Sequence, residues 1–132
     1  MRIFSQWNLM RGHAWTGRYD QAIALSPTIL AESGRHQWVL GLLAWTYGKA
    51  GRVTEARAVR DEMEGRSRHE FVSPFWLATA AASAGLPDEA IRRVEQAVAE
   101  RDPLVMWSRA TPFWDAIRTH PRFEDALRPV WS

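Results

Sequence analysis

Four histidines, His13, His36, His69 and His120, are separated by 23, 33 and 51 residues. No His-x-x-x-His pair therefore offers two imidazoles to one metal from a single helical face. His69-Glu70 resembles part of a zinc-protease helix, but the second histidine is missing. No phosphate-cradling glycine loop and no Gly-x-Ser-x-Gly nucleophile elbow occurs. Asp88-Glu89 and Glu124-Asp125 are adjacent carboxylates that could divide acid and base work, yet both fall where helices are expected to open, and there negative charge complements the helix dipole. The chain has no cysteine, so it has no disulfide and no thiolate metal site. These residues point to no catalytic set, no metal and no cofactor.

The informative side chains are aromatic and cationic. Eight tryptophans occur in 132 residues, and sixteen of the seventeen basic residues are arginine, leaving Lys49 as the one lysine. Arginine's planar fork pairs with carboxylates and stacks on aromatic rings. The net charge of +2 nevertheless leaves the two signs almost balanced. Arg57, Arg60, Arg92 and Arg93 alternate with Glu55, Asp61, Glu62 and Glu95, the pattern of a solvated helix face rather than of a nucleic-acid footprint. The opening Met1-Arg-Ile-Phe-Ser-Gln-Trp is too polar for a secretory core, and no apolar run reaches the roughly 18 residues of a membrane span, so the expected setting is cytoplasmic.

Helices must position these groups. Leu40, Leu43, Ala44 and Tyr47 recur at helical spacing, Gly51-Arg52 interrupts, and Ala56, Val59 and Met63 resume the stripe. Gly17, Gly51 and Gly85 lie 34 residues apart, each followed five residues later by Ala22, Ala56 or Ala90, with a fourth echo at Ala126. Such a period implies stacked helix pairs, because one pair cannot bury its apolar face alone. Further helices are expected from about 3 to 15 and from about 19 to 33, with a kink or break near Ser26 caused by Pro27. Ser73-Pro74-Phe75-Trp76 and Thr111-Pro112-Phe113-Trp114 read as one helix-start signal used twice.

The 34-residue register, with Leu40-x-x-Leu43-Ala44-x-x-Tyr47, Gly51 and Ala56, resembles the tetratricopeptide repeat (TPR) family. The tail, from Glu100-Arg-Asp-Pro to His120-Pro-Arg-Phe, is similar to the closing segment of TPR regions in bacterial regulatory proteins. The chain departs from the family at Leu40 and Pro74, where an aromatic residue is usual, and at Ala81, where tyrosine is usual. The resemblance implies an all-α, right-handed α-solenoid in one domain of about three helical hairpins, approximately 3–36, 37–70 and 71–102. A short-helix cap over 103–132 would close the open end of the stack.

The resemblance also implies a concave groove lined by the opening helices. Its positions fall on Phe4, Trp7, Arg11, Ala14 and Trp15, then Trp38, Gly41, Trp45, Gly48 and Lys49, then Val72, Phe75, Thr79, Ala82 and Ser83. Each tryptophan either faces this groove or fills a gap between repeats. The expected function is binding of a protein or peptide through Phe4, Trp7, Trp15, Trp38, Trp45 and Phe75, with Arg11 or Lys49 meeting an acidic group. The alternative is a small hydrolase, acting on a glycoside, with paired carboxylates beside the tryptophans. Because no helix precedes the apolar Ile3, Phe4, Trp7 and Met10, a homodimer through the N-terminal helix is a further expectation.

Overall fold

A computed structural model describes residues 2–108 and 111–131, the side chains of 2, 3 and 131 excepted. Among the described residues every regular element is helical. These are α1 (Arg2–Trp15), α2 (Tyr19–Ser33), α3 (Gln37–Lys49), α4 (Val53–Arg66), α5 (Pro74–Ser83), α6 (Pro87–Ala99), two 3₁₀ turns (Pro103–Trp107 and Asp115–Ile117) and α7 (Phe123–Trp131).

Helix starts follow the 34-residue register down to single hydrogen bonds. Gly17, Gly51 and Gly85 have φ of 85°, 79° and 77°, a region in which a Cβ is costly. After each, the N–H of Arg18, Arg52 or Leu86 donates to the carbonyl of His13, Tyr47 or Ala81 at 2.8, 2.8 and 2.9 Å. The carbonyls of the same three residues accept from Ala22, Ala56 and Ala90 at 3.1, 3.1 and 3.0 Å, and all three alanines are fully buried. Arg122 and Ala126 repeat the bond at 2.9 Å in α7, where Ala126 is only half-buried.

Neighbouring helices pack as α1 with α2, α3 with α4 and α5 with α6, while α3 also meets α2, α1 and α5. The innermost elements are therefore α3 and α5. Their sequences agree, since Val39–Thr46 and Pro74–Ala82 are buried without a polar face, as a helix apolar all round must be. The crossing of α3 and α5 is close because small residues permit it. A Cβ on Gly41 would collide with the Trp76 ring, and one on Gly48 would lie 2.9 Å from the Ser83 carbonyl oxygen.

The arginines do more than solvate a face. Arg35 forks onto Glu62 through two bonds of 2.6 Å, Arg60 onto Glu89, and Arg93 onto Glu64, while Arg122 reaches Glu95 at 2.9 Å. Each pair joins groups 27 or 29 residues apart, and so ties one helix pair to the next.

Two local expectations need correction. α2 runs unbroken through Pro27. Proline leaves the Ile23 carbonyl without its helical donor, and the Ser26 hydroxyl donates to that oxygen at 2.7 Å, so the polar loss is made good within the helix. The repeated Ser/Thr-Pro-Phe-Trp signal opens a helix only once. Ser73 Oγ accepts from Phe75 N and begins α5, whereas Thr111-Pro112 leads only to the three-residue 3₁₀ turn at Asp115–Ile117.

Candidate functional site

Phe4, Trp7, Arg11 and Trp15 follow one another at three- and four-residue steps and share one face of α1. Trp38 and Trp45 present the corresponding face of α3, and Phe75 that of α5. The three helices bring these rings together. Trp38 lies 5.6 Å from Phe4 and 5.5 Å from Trp7 between ring centroids, and the Trp7 indole N–H donates to the Trp38 carbonyl at 2.8 Å.

The groove these residues would line is occupied by the chain itself. Trp107 lies 5.9 Å from Trp7, 6.4 Å from Trp38 and 6.1 Å from Phe75. Phe113 lies 5.6 Å from Trp15, 5.8 Å from Trp45 and 5.2 Å from Trp76. The tail therefore crosses α1, α3 and α5 as a strap, and two hydrogen bonds fasten it. Trp45 Nε1 donates to the Pro112 carbonyl at 3.2 Å, and Trp114 Nε1 donates to Thr79 Oγ1 at 3.1 Å. The tail also meets α6, the last of the paired helices, through α7 and the 3₁₀ turn at Asp115–Ile117, where a cap was expected.

This placement corrects the expected binding surface. Trp7, Trp45 and Phe75 are 3%, 6% and 0% exposed and belong to the core. Phe4 is exposed, Arg11, Trp15 and Trp38 are half-buried, and Lys49 is exposed. The premise for the homodimer changes with it: Trp7 and Met10 are buried within the protomer, Phe4 and Leu9 remain exposed, and the side chain of Ile3 lies outside the described residues. The residues missed from sequence are Trp107, Phe113 and Trp114. A signal for Phe113 and Trp114 was present, because the second Pro-Phe-Trp copies the first, and the two copies pack on each other with Phe75 4.8 Å from Trp114.

Arg11 is held between two indoles, its guanidinium carbon 5.1 Å from the Trp7 ring centroid and 4.8 Å from that of Trp15. Such stacking holds the cation without neutralising it, and no carboxylate pairs with Arg11 among the described residues. Lys49 lies 5.9 Å from the Trp45 ring, at a separate cleft of about 310 Å³ shared with Ser83, Phe113 and Asp115.

Acid–base chemistry finds little to work with at these positions. The cleft beside Trp45 contains one carboxylate, Asp115, which Arg118 holds at 2.7 Å. A cleft of about 320 Å³ between α2 and α4 contains two, Glu55 and Glu62, next to Tyr47 rather than a tryptophan. Arg52 pairs with Glu55 at 2.5 Å, and the hydrogen bonds from Arg35 hold Glu62 below the usual carboxylate range, so it carries no proton to donate near neutrality. Asp88 meets His120 at 2.9 Å on the exposed outer side, where the histidine lowers its pKa. Among the described residues no group of three His, Asp or Glu side chains could hold a metal ion, and no helix is long and apolar enough to cross a membrane. No protein-family model matches the chain, and neither a curated protein nor a solved structure matches it.

Proposed function

We propose that this chain is a TPR-like α-solenoid serving as a protein-interaction module, with a partner docking along the open edge of α1 rather than inside the aromatic groove. The 34-residue recurrence of the glycine turns, the buried alanines and the cross-pair packing support the solenoid reading. The observation that carries the docking site is Arg11, stacked between Trp7 and Trp15 with no carboxylate partner among the described residues, beside the exposed Phe4 and the half-open Trp38. An acidic side chain flanked by apolar ones on an extended or helical peptide fits that strip: the carboxylate meets the fork of Arg11 and the apolar anchors cover Phe4 and the edge of Trp38.

The test is affinity capture from the source cell with wild-type protein, Arg11→Glu and Lys49→Glu, each checked by thermal melting. Partners recovered by the wild type and by Lys49→Glu, and lost with Arg11→Glu at an unchanged melting temperature, support the α1 edge. Equal recovery by all three proteins contradicts it.

A further inference from the structure

A second cleft, of about 480 Å³, opens between the end of α6, the first 3₁₀ turn and the end of α7. Its walls are apolar, with Ala97 and Val105 at the floor and Val98, Met106 and Val130 around it. Two charged residues border it, Arg101 and Asp102. The aspartate is fully engaged: one oxygen accepts from Leu104 N at 3.0 Å, and the other takes Ser73 Oγ and Phe75 N. Arg101 is exposed and has no carboxylate partner among the described residues.

The backbone of Arg101 adds an independent observation. It closes α6 at φ 56°, the left-handed position that helix ends normally give to glycine, where any side chain is strained. The described residues include one other arginine in this region, Arg35 at φ 57°, and its guanidinium is fixed by two bonds to Glu62. Arg101 has no such pairing among the described residues, and its exposed side chain borders the apolar cleft. Backbone strain of this kind gathers at ligand sites, where the fold retains it for the group it positions.

We propose that this cleft binds a free monocarboxylate with an unbranched apolar chain. The Arg101 fork takes both carboxylate oxygens, and the chain lies along Val98, Val105 and Val130. At about 30 Å³ per water the cleft has the volume of roughly sixteen waters, room for a ligand of roughly ten non-hydrogen atoms. The site is separate from the α1 edge, and its occupation does not depend on a protein partner.

Octanoate is the probe, titrated calorimetrically into the full chain beside octan-1-ol, which lacks the charge, and acetate, which lacks the chain. The expected result is saturable one-to-one binding of octanoate, with both controls weaker by about tenfold or more, as expected when either the charged bond or the buried chain is removed. Arg101→Gly relieves the backbone strain, so it should raise the melting temperature while weakening octanoate by about tenfold or more. Met106→Glu, on an exposed wall, should leave the melting temperature unchanged and weaken octanoate by repulsion. No saturable heat up to about 10 mM octanoate, an affinity too weak for a pocket of this size, overturns the proposal. Undiminished affinity in Arg101→Gly, or a lowered melting temperature in that variant, overturns it as well.

Discussion

At the residue scale, two glycines in helices have opposite meanings. Gly41 gives up its Cβ to the Trp76 ring at the crossing of α3 and α5, whereas Gly12, on the exposed side of α1, has nothing within contact distance of a Cβ. Gly41→Ala should therefore destabilise the fold by about 1–3 kcal/mol through overpacking, and Gly12→Ala should stabilise it by about 0.5–1 kcal/mol through helix propensity. Urea denaturation of the two variants checks both signs. The sequence marks Gly41 as a groove position, but cannot reveal that an indole from the next pair fills the space. His36 makes a second residue-scale case. Its Nδ1 accepts from Trp38 N at 3.1 Å and caps α3, and burial, helped by the charge of Arg66, lowers its pKa below 6.5. A folded pKa below the unfolded one means that the unfolded chain takes up the proton first. The stabilisation is therefore complete above about pH 6.5 and declines as pH falls from there through the folded pKa. His36→Ser retains a capping oxygen without a titrating group, so the stability it loses between pH 7.5 and 5.5 should be smaller than in the wild type, by at most about 1.4 kcal/mol, the value of one pH unit of titration. Equal losses in paired urea titrations would remove His36 as the source.

At the element scale, the helices are legible because their signals are local. Gly17, Gly51 and Gly85 stop and turn the chain, Ala22, Ala56 and Ala90 fit the crossings, and Ser73-Pro74 opens α5. The strap is not legible in the same way. Thr111-Pro112-Phe113-Trp114 carries a helix-start signal, but Phe113 gains more between α1, α3 and α5, and Trp114 more against α5, than a short helix would return. That choice is tertiary, and no local pattern encodes it. Trp45 shows the consequence for mutagenesis. As a groove residue it would be expendable for folding, yet it is buried against Phe113 and hydrogen-bonded to Pro112. Trp45→Ala should cost about 3–5 kcal/mol, the range for removing a buried aromatic. A melting temperature close to that of the wild type would place Trp45 outside the core. Trp7→Glu, for the same reason, would unfold the protomer rather than report on self-association.

At the scale of the whole molecule, the helical class was readable from the 34-residue period, and the aromatic residues expected along one groove lie close together. Their availability was misread, because a sequence position facing a groove looks the same whether solvent, a partner or the chain's own tail fills it. Magnitudes decide which of these holds. An aromatic side chain buries about 150–250 Å², worth about 4–6 kcal/mol at ~25 cal/mol per Å². Phe113 and Trp114, at 1% and 0% exposure, therefore contribute on the order of 8–12 kcal/mol before entropy is counted, comparable with the whole ~5–15 kcal/mol of a domain's stability. A strap held on that scale is part of the core, and the docking proposed above falls on the edge that carries Phe4, Arg11 and Trp38. Amide hydrogen exchange on the full chain tests this most directly. The protected amides of Val105, Ser108 and Ile117 should open with the same free energy as those in the middle of α3 and α5, because the strap leaves only when the fold does. Exchange of the strap amides several orders of magnitude faster, with α3 and α5 still protected, would make the strap a detachable lid and return the aromatic groove to a binding role.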